Sequence, residues 1–135
     1  MIAARYDYVL DTSAILVVLL NEPESTRTTE VLRSGRDEGA RIALPFLALM
    51  EIEYKLLRQM APSDTELALQ TVAEWPATIA ESDEAWRRRA ARVKARGGLS
   101  LADSWMAALA LIHDAELVHK DPEFDSVPGL RSVRL

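Results

Sequence analysis

The sequence contains no cysteine among its 135 residues. Disulfide bonds and thiolate metal sites are therefore excluded, and the absence agrees with a protein of the reducing cytosol. The N-terminal region also lacks the basic stretch, apolar run and small-residue cleavage site of a secretory signal peptide. We therefore predict a cytoplasmic location.

Positive charge is scarce as well, since 16 Lys and Arg residues stand against 21 Asp and Glu residues and give a net charge of −5. A protein of this charge is not expected to bind nucleic acid through its overall electric field. The basic residues are unevenly distributed, however, because six of the 16 fall between Arg87 and Arg96. This cluster is the one candidate basic surface that the sequence offers.

Long apolar runs suited to a membrane span are missing too. The apolar stretch at residues 14–20 is too short to cross a bilayer, and we predict no membrane association. This stretch directly follows the strand-forming residues 8–10, with only Asp11, Thr12 and Ser13 between them. The pattern predicts a buried strand that turns at once into a buried helix.

Short apolar segments alternate with longer amphipathic ones along the rest of the chain. This alternation predicts an α/β fold in which helices cover both faces of a parallel sheet, in one domain over residues 1–135. Capping patterns predict that Ser63 begins one helix, with a capping box to Glu66, and that Ser82 caps the next. Strands are expected at residues 8–10, 41–45, 77–80, 116–119 and 132–135, and helices at 14–20, 24–36, 46–60, 63–75, 82–96 and 101–114.

Two aspartates lie at the ends of predicted strands. Asp11 follows the first strand directly, and Asp121 follows the strand at residues 116–119 after one residue. Ligands of open α/β sheets bind outside the carboxyl ends of the strands, so the two would face one crevice if their strands are neighbours. The alternative roles are structural: Asp11 can cap a helix, and Asp121, which precedes a proline, can begin a turn.

Two further acids lie on predicted helices. Glu51 borders the apolar face of its helix, where the alternative role is a surface ion pair with Lys55. Asp103 lies in the first turn of a helix opened by Ser100, where it would also fit a capping box and the helix dipole. The small side chains of this helix would let Asp103 lie close to the sheet.

All four carboxylates can therefore reach the carboxyl edge of the sheet. Gathered there, they would raise each other's pKa unless a cation binds. Carboxylate oxygens without histidine or cysteine nearby favour Mg²⁺ or Mn²⁺. A metal held in this way suits the hydrolysis of a phosphodiester, because it activates water and stabilises the leaving oxygen.

Four separated segments resemble the PIN domain family, and within it the VapC-type toxins of toxin–antitoxin pairs. The resemblance covers residues 8–124, and the four segments occur in the family's order. They are Val-Leu-Asp-Thr-Ser at residues 9–13, Leu-Met-Glu-Ile-Glu-Tyr at 49–54, Leu-Ser-Leu-Ala-Asp-Ser-Trp-Met-Ala-Ala-Leu-Ala at 99–110, and Ala-Glu-Leu-Val-His-Lys-Asp-Pro-Glu-Phe at 115–124.

The resemblance implies a Mg²⁺- or Mn²⁺-dependent endoribonuclease that acts as a toxin on RNA. It further implies an α/β/α sandwich with a central parallel sheet of four to five strands, a homodimer and a cognate antitoxin protein. Ser13 would support the site through hydrogen bonds. The catalytic and metal-binding acids would be Asp11, Glu51, Asp103 and Asp121.

The sequence departs from the family pattern at His119, where threonine or serine is commoner. We expect His119 to support the site, either by filling this position or by contacting phosphate or a metal-bound water. Glu123 and Asp125 follow closely enough to share the metal-binding role of Asp121.

The basic cluster gains a candidate role once a phosphodiester substrate is considered. Arg88, Arg92 and Arg96 are spaced at i, i+4 and i+8 and share one helix face, which could follow the phosphates of RNA. The alternative is a solvated surface helix whose charge is balanced by neighbouring acids.

Other functions compete with the toxin interpretation. A PIN nuclease could process RNA without being a toxin, and an inactive PIN fold could serve only to bind a partner protein. A receiver-like phosphoacceptor domain is disfavoured, because it needs an acidic pair where Thr12 follows Asp11. A dimer would most naturally form through apolar residues on the helices at residues 24–36 and 46–60.

Overall fold

The computed structural model describes residues 5–135, and its elements follow the predicted alternation. The strands are β1 (Tyr8–Leu10), β2 (Ile42–Pro45), β3 (Thr78–Ala80), β4 (Glu116–His119) and β5 (Arg131–Arg134). The helices are α1 (Thr12–Leu19), α2 (Ser25–Asp37), α3 (Phe46–Leu57), α4 (Pro62–Ala73), α5 (Glu84–Arg96) and α6 (Leu101–His113), with a short 3₁₀ helix at Pro122–Ser126.

The five strands form one parallel sheet in the order β3-β2-β1-β4-β5. β1 and β4 are therefore neighbours, and Leu10 pairs with Val118 at their carboxyl ends. The strand order reverses between these two strands, which is where ligand crevices open in sheets of this type. The predicted fold class, an α/β sandwich around a parallel sheet of four to five strands, is confirmed.

Helices cover both faces of the sheet. On one face α1 packs against α2 and α3, and α3 against α4, while α5 and α6 pack together on the other. This division follows from right-handed crossovers, since the chain moves across the sheet in one direction from β1 to β3 and in the other from β3 to β4. The small side chains of α6, among them Ala107 and Ala108, are fully buried and let this helix lie close to β1 and β4.

Two helix starts differ from the predictions. α4 begins at Pro62 after Ala61, and no side chain caps it, because alanine has no side-chain acceptor. Proline fits the first helical position, since the N–H that it lacks would have no partner there. α5 is capped by Asp83 rather than Ser82, and the Asp83 carboxylate accepts the Trp86 N–H at 2.8 Å. The burial of Trp86 fixes this register.

None of the helices within residues 5–135 combines the length and the apolar character needed to cross a membrane.

Candidate active site

Asp11 is held at the turn from β1 into α1. Its Oδ1 atom accepts hydrogen bonds from the Ala14 N–H at 2.8 Å and from the Ser13 hydroxyl at 2.7 Å. The residue is therefore the N-cap of α1, and only 5% of it is exposed. Both bonds use the same carboxylate oxygen, so the capping role leaves Oδ2 available for the site.

Ser13 joins the ends of the two neighbouring strands. While its hydroxyl donates to Asp11, its oxygen accepts the backbone N–H of Lys120 at 3.1 Å. The Asp11 N–H in turn donates to the Val118 carbonyl at 3.2 Å. The Lys120 ammonium lies 3.2 Å from a carboxylate oxygen of Glu22, which anchors the end of α1 to this strand end. Ser13 thus contacts both Asp11 and the backbone at the end of β4, and its supporting role stays a prediction.

Glu51 enters the site from α3. Its Oε1 accepts a 2.6 Å hydrogen bond from the hydroxyl of Thr12, which is itself buried. Glu51 forms no ion pair with Lys55 in the part of the chain that the structure describes, so the surface role considered from the sequence is not the one observed. Sequence reasoning did not assign Thr12 to the site, because its partner is set by the packing of α1 against α3.

Three further carboxylates come together opposite Asp11. Asp103, Asp121 and Glu123 each offer an oxygen within 4.8 Å of the others. Asp103 lies in the first turn of α6, which Ser100 caps by accepting the Asp103 N–H at 3.1 Å. Asp121 caps the 3₁₀ helix by accepting the Glu123 N–H at 2.9 Å, which brings Glu123 beside it.

Of the two acids considered as additional ligands, Glu123 joins this group and Asp125 does not. Asp125 instead accepts a hydrogen bond from Arg134 at 3.2 Å. We call the three carboxylates of Asp103, Asp121 and Glu123 the acidic triad. Asp11 and Glu51 lie outside this 4.8 Å group, but Glu51 repels the carboxylates of both Asp11 and Asp103, and Asp103 repels that of Asp11.

The electrostatics of the site reflect burial and crowding of negative charge. Burial raises the pKa of Asp11 to about 7, and repulsion from Asp103 and Glu51 adds to the effect, while the bonds from Ser13 and Ala14 oppose it. At neutral pH this carboxyl group is therefore only partly ionised in the metal-free protein.

Asp103 is affected in the same direction. Its burial raises the pKa, and repulsion from Asp121, Glu51 and Glu123 raises it further. Because the donors are all carboxylate oxygens, the set fits a hard divalent cation such as Mg²⁺ or Mn²⁺. Such an ion would favour the ionised form of every acid in the group.

Comparison with known proteins places this arrangement in a family. The sequence model of the PIN domain matches residues 8–130. The chain belongs to the PIN domain family. A comparison with curated protein sequences finds no match.

Solved structures with a similar fold include chains of VapBC complexes. One is VapBC2 from Rickettsia felis bound to a DNA fragment from its promoter, with a TM-score of 0.79, 16% identity and coverage of 94% of this chain and 97% of that chain. A second is DNA-bound VapBC from Salmonella typhimurium, with a TM-score of 0.78, 18% identity and coverage of 96% and 98%. A third is VapBC-5 from Mycobacterium tuberculosis, a member of the VapBC family of toxin–antitoxin systems, with a TM-score of 0.63, 20% identity and coverage of 96% and 99%.

His119 of this PIN domain lies beneath the site and not in it. Its ring is fully buried and meets the ring of Phe124 edge-on, with 4.8 Å between the centroids. Neither ring nitrogen has a hydrogen-bond partner among the described residues, and burial lowers the pKa of the ring. This burial keeps the ring out of contact with a phosphate, and His119 packs against Phe124 of the 3₁₀ helix that carries Glu123.

The predicted arginine stripe divides between two environments. Arg88 lies 3.5 Å from Glu84 in an exposed ion pair. Arg92 and Arg96 line a cleft together with Arg89, one of the neighbouring basic residues that widen the predicted stripe. The helix face that lines the cleft therefore has Arg89, not Arg88, at its N-terminal end.

The buried charge of Asp11 predicts how the metal-free PIN domain responds to pH. The pKa of Asp11 is about 7 in the folded protein and near 3.8 in the unfolded chain. Between pH 3.8 and pH 7 the folded state therefore binds a proton at Asp11 that the unfolded state has lost. Its contribution to the free energy of unfolding is complete below pH 4 and is lost as the pH rises through 7. Asp11→Asn keeps the capping oxygen and should raise the free energy of unfolding at pH 8 by about 2–4 kcal/mol, and by almost nothing at pH 4.

Urea denaturation in EDTA at pH 4 and pH 8 measures this difference. Asp83→Asn is the matched control, because Asp83 caps α5 with the same geometry but is exposed; its effect should stay within about 0.5 kcal/mol at both pH values. An equal gain for Asp11→Asn at pH 4 and pH 8 would contradict the assignment of a buried, destabilising charge.

Proposed function

We propose that this PIN domain is a metal-dependent endoribonuclease and the toxin of a toxin–antitoxin pair. The observation that supports it most is the convergence of five carboxylates where the strand order reverses, three of them within 4.8 Å of one another. Membership of the PIN family and the similarity of the fold to chains of VapBC complexes support the same function.

The cofactor of the proposed reaction is Mg²⁺ or Mn²⁺. The acidic triad would hold it, together with the free oxygen of Asp11, and Glu51 would complete the negative charge of the site. A divalent cation bound there would lower the pKa of a water molecule and stabilise the charge that develops on the phosphodiester.

The chain's own groups hold these acids in place. The Ser13 hydroxyl and the Ala14 N–H fix one oxygen of Asp11 and thereby orient the other. The Thr12 hydroxyl fixes Glu51 in the same way. Because these donors lie on one turn of backbone, a shift of the β1–α1 turn would misplace two acids at once.

The proposed partners are an RNA substrate, a cognate antitoxin and a second copy of the chain. The antitoxin is proposed by analogy with the VapBC complexes whose chains share the fold. For the dimer, α3 exposes Met50 by 64% and Leu57 by 46%, whereas none of the large exposed hydrophobic residues in the described chain lies on α2. Of the two helices considered from the sequence, α3 is thus the better candidate for the dimer face.

Purified protein should cleave RNA with Mg²⁺ or Mn²⁺ and not with EDTA. Asp11→Asn and Asp103→Asn should each lower the cleavage rate by about 100-fold or more, since each removes a carboxylate that holds the metal or its neighbours. Asp125→Asn is the matched control, because it removes an acid of the same 3₁₀ helix that bonds to Arg134 instead. Cleavage that survives EDTA and both active-site substitutions would refute the mechanism, and no cleavage of any RNA would favour an inactive partner-binding domain.

The toxin role has a test of its own. Expression of the wild-type chain in a bacterial host should arrest growth, and expression of Asp11→Asn at the same level should not. Metal-dependent RNA cleavage without growth arrest would instead support a PIN nuclease that processes RNA.

A further inference from the structure

A cleft of about 590 Å³ runs along one side of α5. Arg89, Arg92 and Arg96 lie on one wall, at i, i+3 and i+7, and therefore on one face of the helix. Ser126, the last residue of the 3₁₀ helix, and Pro128, two residues after it, lie on the other wall. The cleft is thus a basic groove between a helix and a loop.

The three arginines that line the cleft are not neutralised by the protein. Within residues 5–135, none of them lies within 4 Å of a carboxylate, although Arg88 on the same helix pairs with Glu84. All three are exposed. In a chain whose net charge is −5, this groove concentrates positive charge that is available to a ligand.

Each wall of the cleft is connected to an element that carries acids of the triad. On one side, the turn through Gly98 continues into the Ser100 cap and the first turn of α6, which carries Asp103. On the other, the Ser126 hydroxyl donates to the Glu123 carbonyl at 2.8 Å. The two walls approach each other at this end, since a Cβ atom at Gly98 would lie 3.8 Å from Ser126 Oγ.

We propose that the cleft binds the phosphodiester backbone of the RNA strand on one side of the bond that is cleaved. The proposal rests on the proposed function, because the bond to be cleaved would lie at the acidic triad. The positions from Arg89 to Arg96 extend over about 10 Å of helix, at 1.5 Å per residue. That length is enough for the three arginines to face more than one phosphate of a strand.

The chemistry of the cleft favours this occupant. Guanidinium groups bind phosphate oxygens through two parallel hydrogen bonds, and a row of three suits a ligand with regularly spaced anions. An acidic peptide would also be attracted to the arginines, but its remaining carboxylates would be repelled where the cleft meets the triad. A strand whose next phosphate enters a metal-loaded triad has no such conflict.

The chain offers a matched pair of double variants on the same helix. Arg92→Gln with Arg96→Gln removes two charges from the cleft, and Arg87→Gln with Arg88→Gln removes two charges from elsewhere on α5. Both double variants are made in the 135-residue chain that also carries Asp11→Asn, so that the RNA is not cleaved during the measurement. Binding of a fluorescein-labelled single-stranded RNA is followed by anisotropy with Mg²⁺ over a range of salt concentrations.

The cleft double should weaken binding by about tenfold or more and reduce the slope of log affinity against log salt by about 1.4, which is about 0.7 for each phosphate that an arginine no longer neutralises. The control double should weaken binding less than about twofold and leave the slope unchanged. In protein with Asp11 restored, the cleft double should raise KM for RNA cleavage with kcat little changed, because these arginines lie away from the reacting phosphate.

The proposal would be overturned if both double variants weakened RNA binding equally, or if neither weakened it. So would competition by poly-L-glutamate as effective as that by unlabelled RNA at equal charge, which would assign the cleft to an acidic protein segment. The proposed function fails separately: arginine-dependent RNA binding without metal-dependent cleavage would refute the nuclease and retain the cleft. Metal-dependent cleavage, with equal RNA binding by the two double variants, would refute only the proposal that the cleft binds RNA.

Discussion

Burial of the Asp11 carboxyl group beside other acids, at the junction of β1 and β4, is the constraint on which the rest of the site depends. Asp11 is almost fully buried there, and burial raises its pKa to about 7. Folding must remove this carboxylate from water and hold it close to other acids, which costs free energy in the absence of a counter-charge. A site that is unfavourable when empty is suited to bind a divalent cation tightly.

The sheet and its caps oppose this repulsion. Parallel pairing of β1 with β4 brings Asp11 and Asp121 to one edge, and Ser13 joins the two strand ends by bonding to both sides. Asp11 and Asp121 each use one oxygen to cap the helix that follows. Because each cap uses a single oxygen, the structural role of these carboxylates does not exclude the proposed metal-binding role.

Much of the fold could be predicted because its signals are local. The period of the apolar residues located the strands and helices, and small residues on α6 predicted its close packing. Helix starts were less predictable where two capping residues are adjacent, since the choice of Asp83 over Ser82 depends on the burial of Trp86. The sequence alone did not show that β1 and β4 are neighbours in the sheet. Strand order is set by long-range packing, and only the resemblance to a known family indicated it.

The candidate site was predictable to the extent that its residues follow strands or begin helices. Asp103 and Asp121 meet as expected, but the third member of the triad is Glu123, because a 3₁₀ helix turns it back toward Asp121. The bond from Thr12 to Glu51 and the position of Arg89 in the cleft depend on how helices pack, which no local pattern encodes. The burial of His119 and its contact with Phe124 depend on tertiary packing as well, so the sequence could not decide between a packed ring and one that contacts phosphate.

The most direct test of the acidic triad as a metal site is calorimetric titration of the metal-free protein with Mn²⁺. Binding should be weakened at least about tenfold by Asp103→Asn, Asp121→Asn and Glu123→Gln, each of which removes one charge of the triad. Asp125→Asn, which removes the same charge from the same 3₁₀ helix, should bind Mn²⁺ as the wild type does. Equal weakening in all four variants, or wild-type affinity in the three triad variants, would contradict the claim that this group of acids is a metal site.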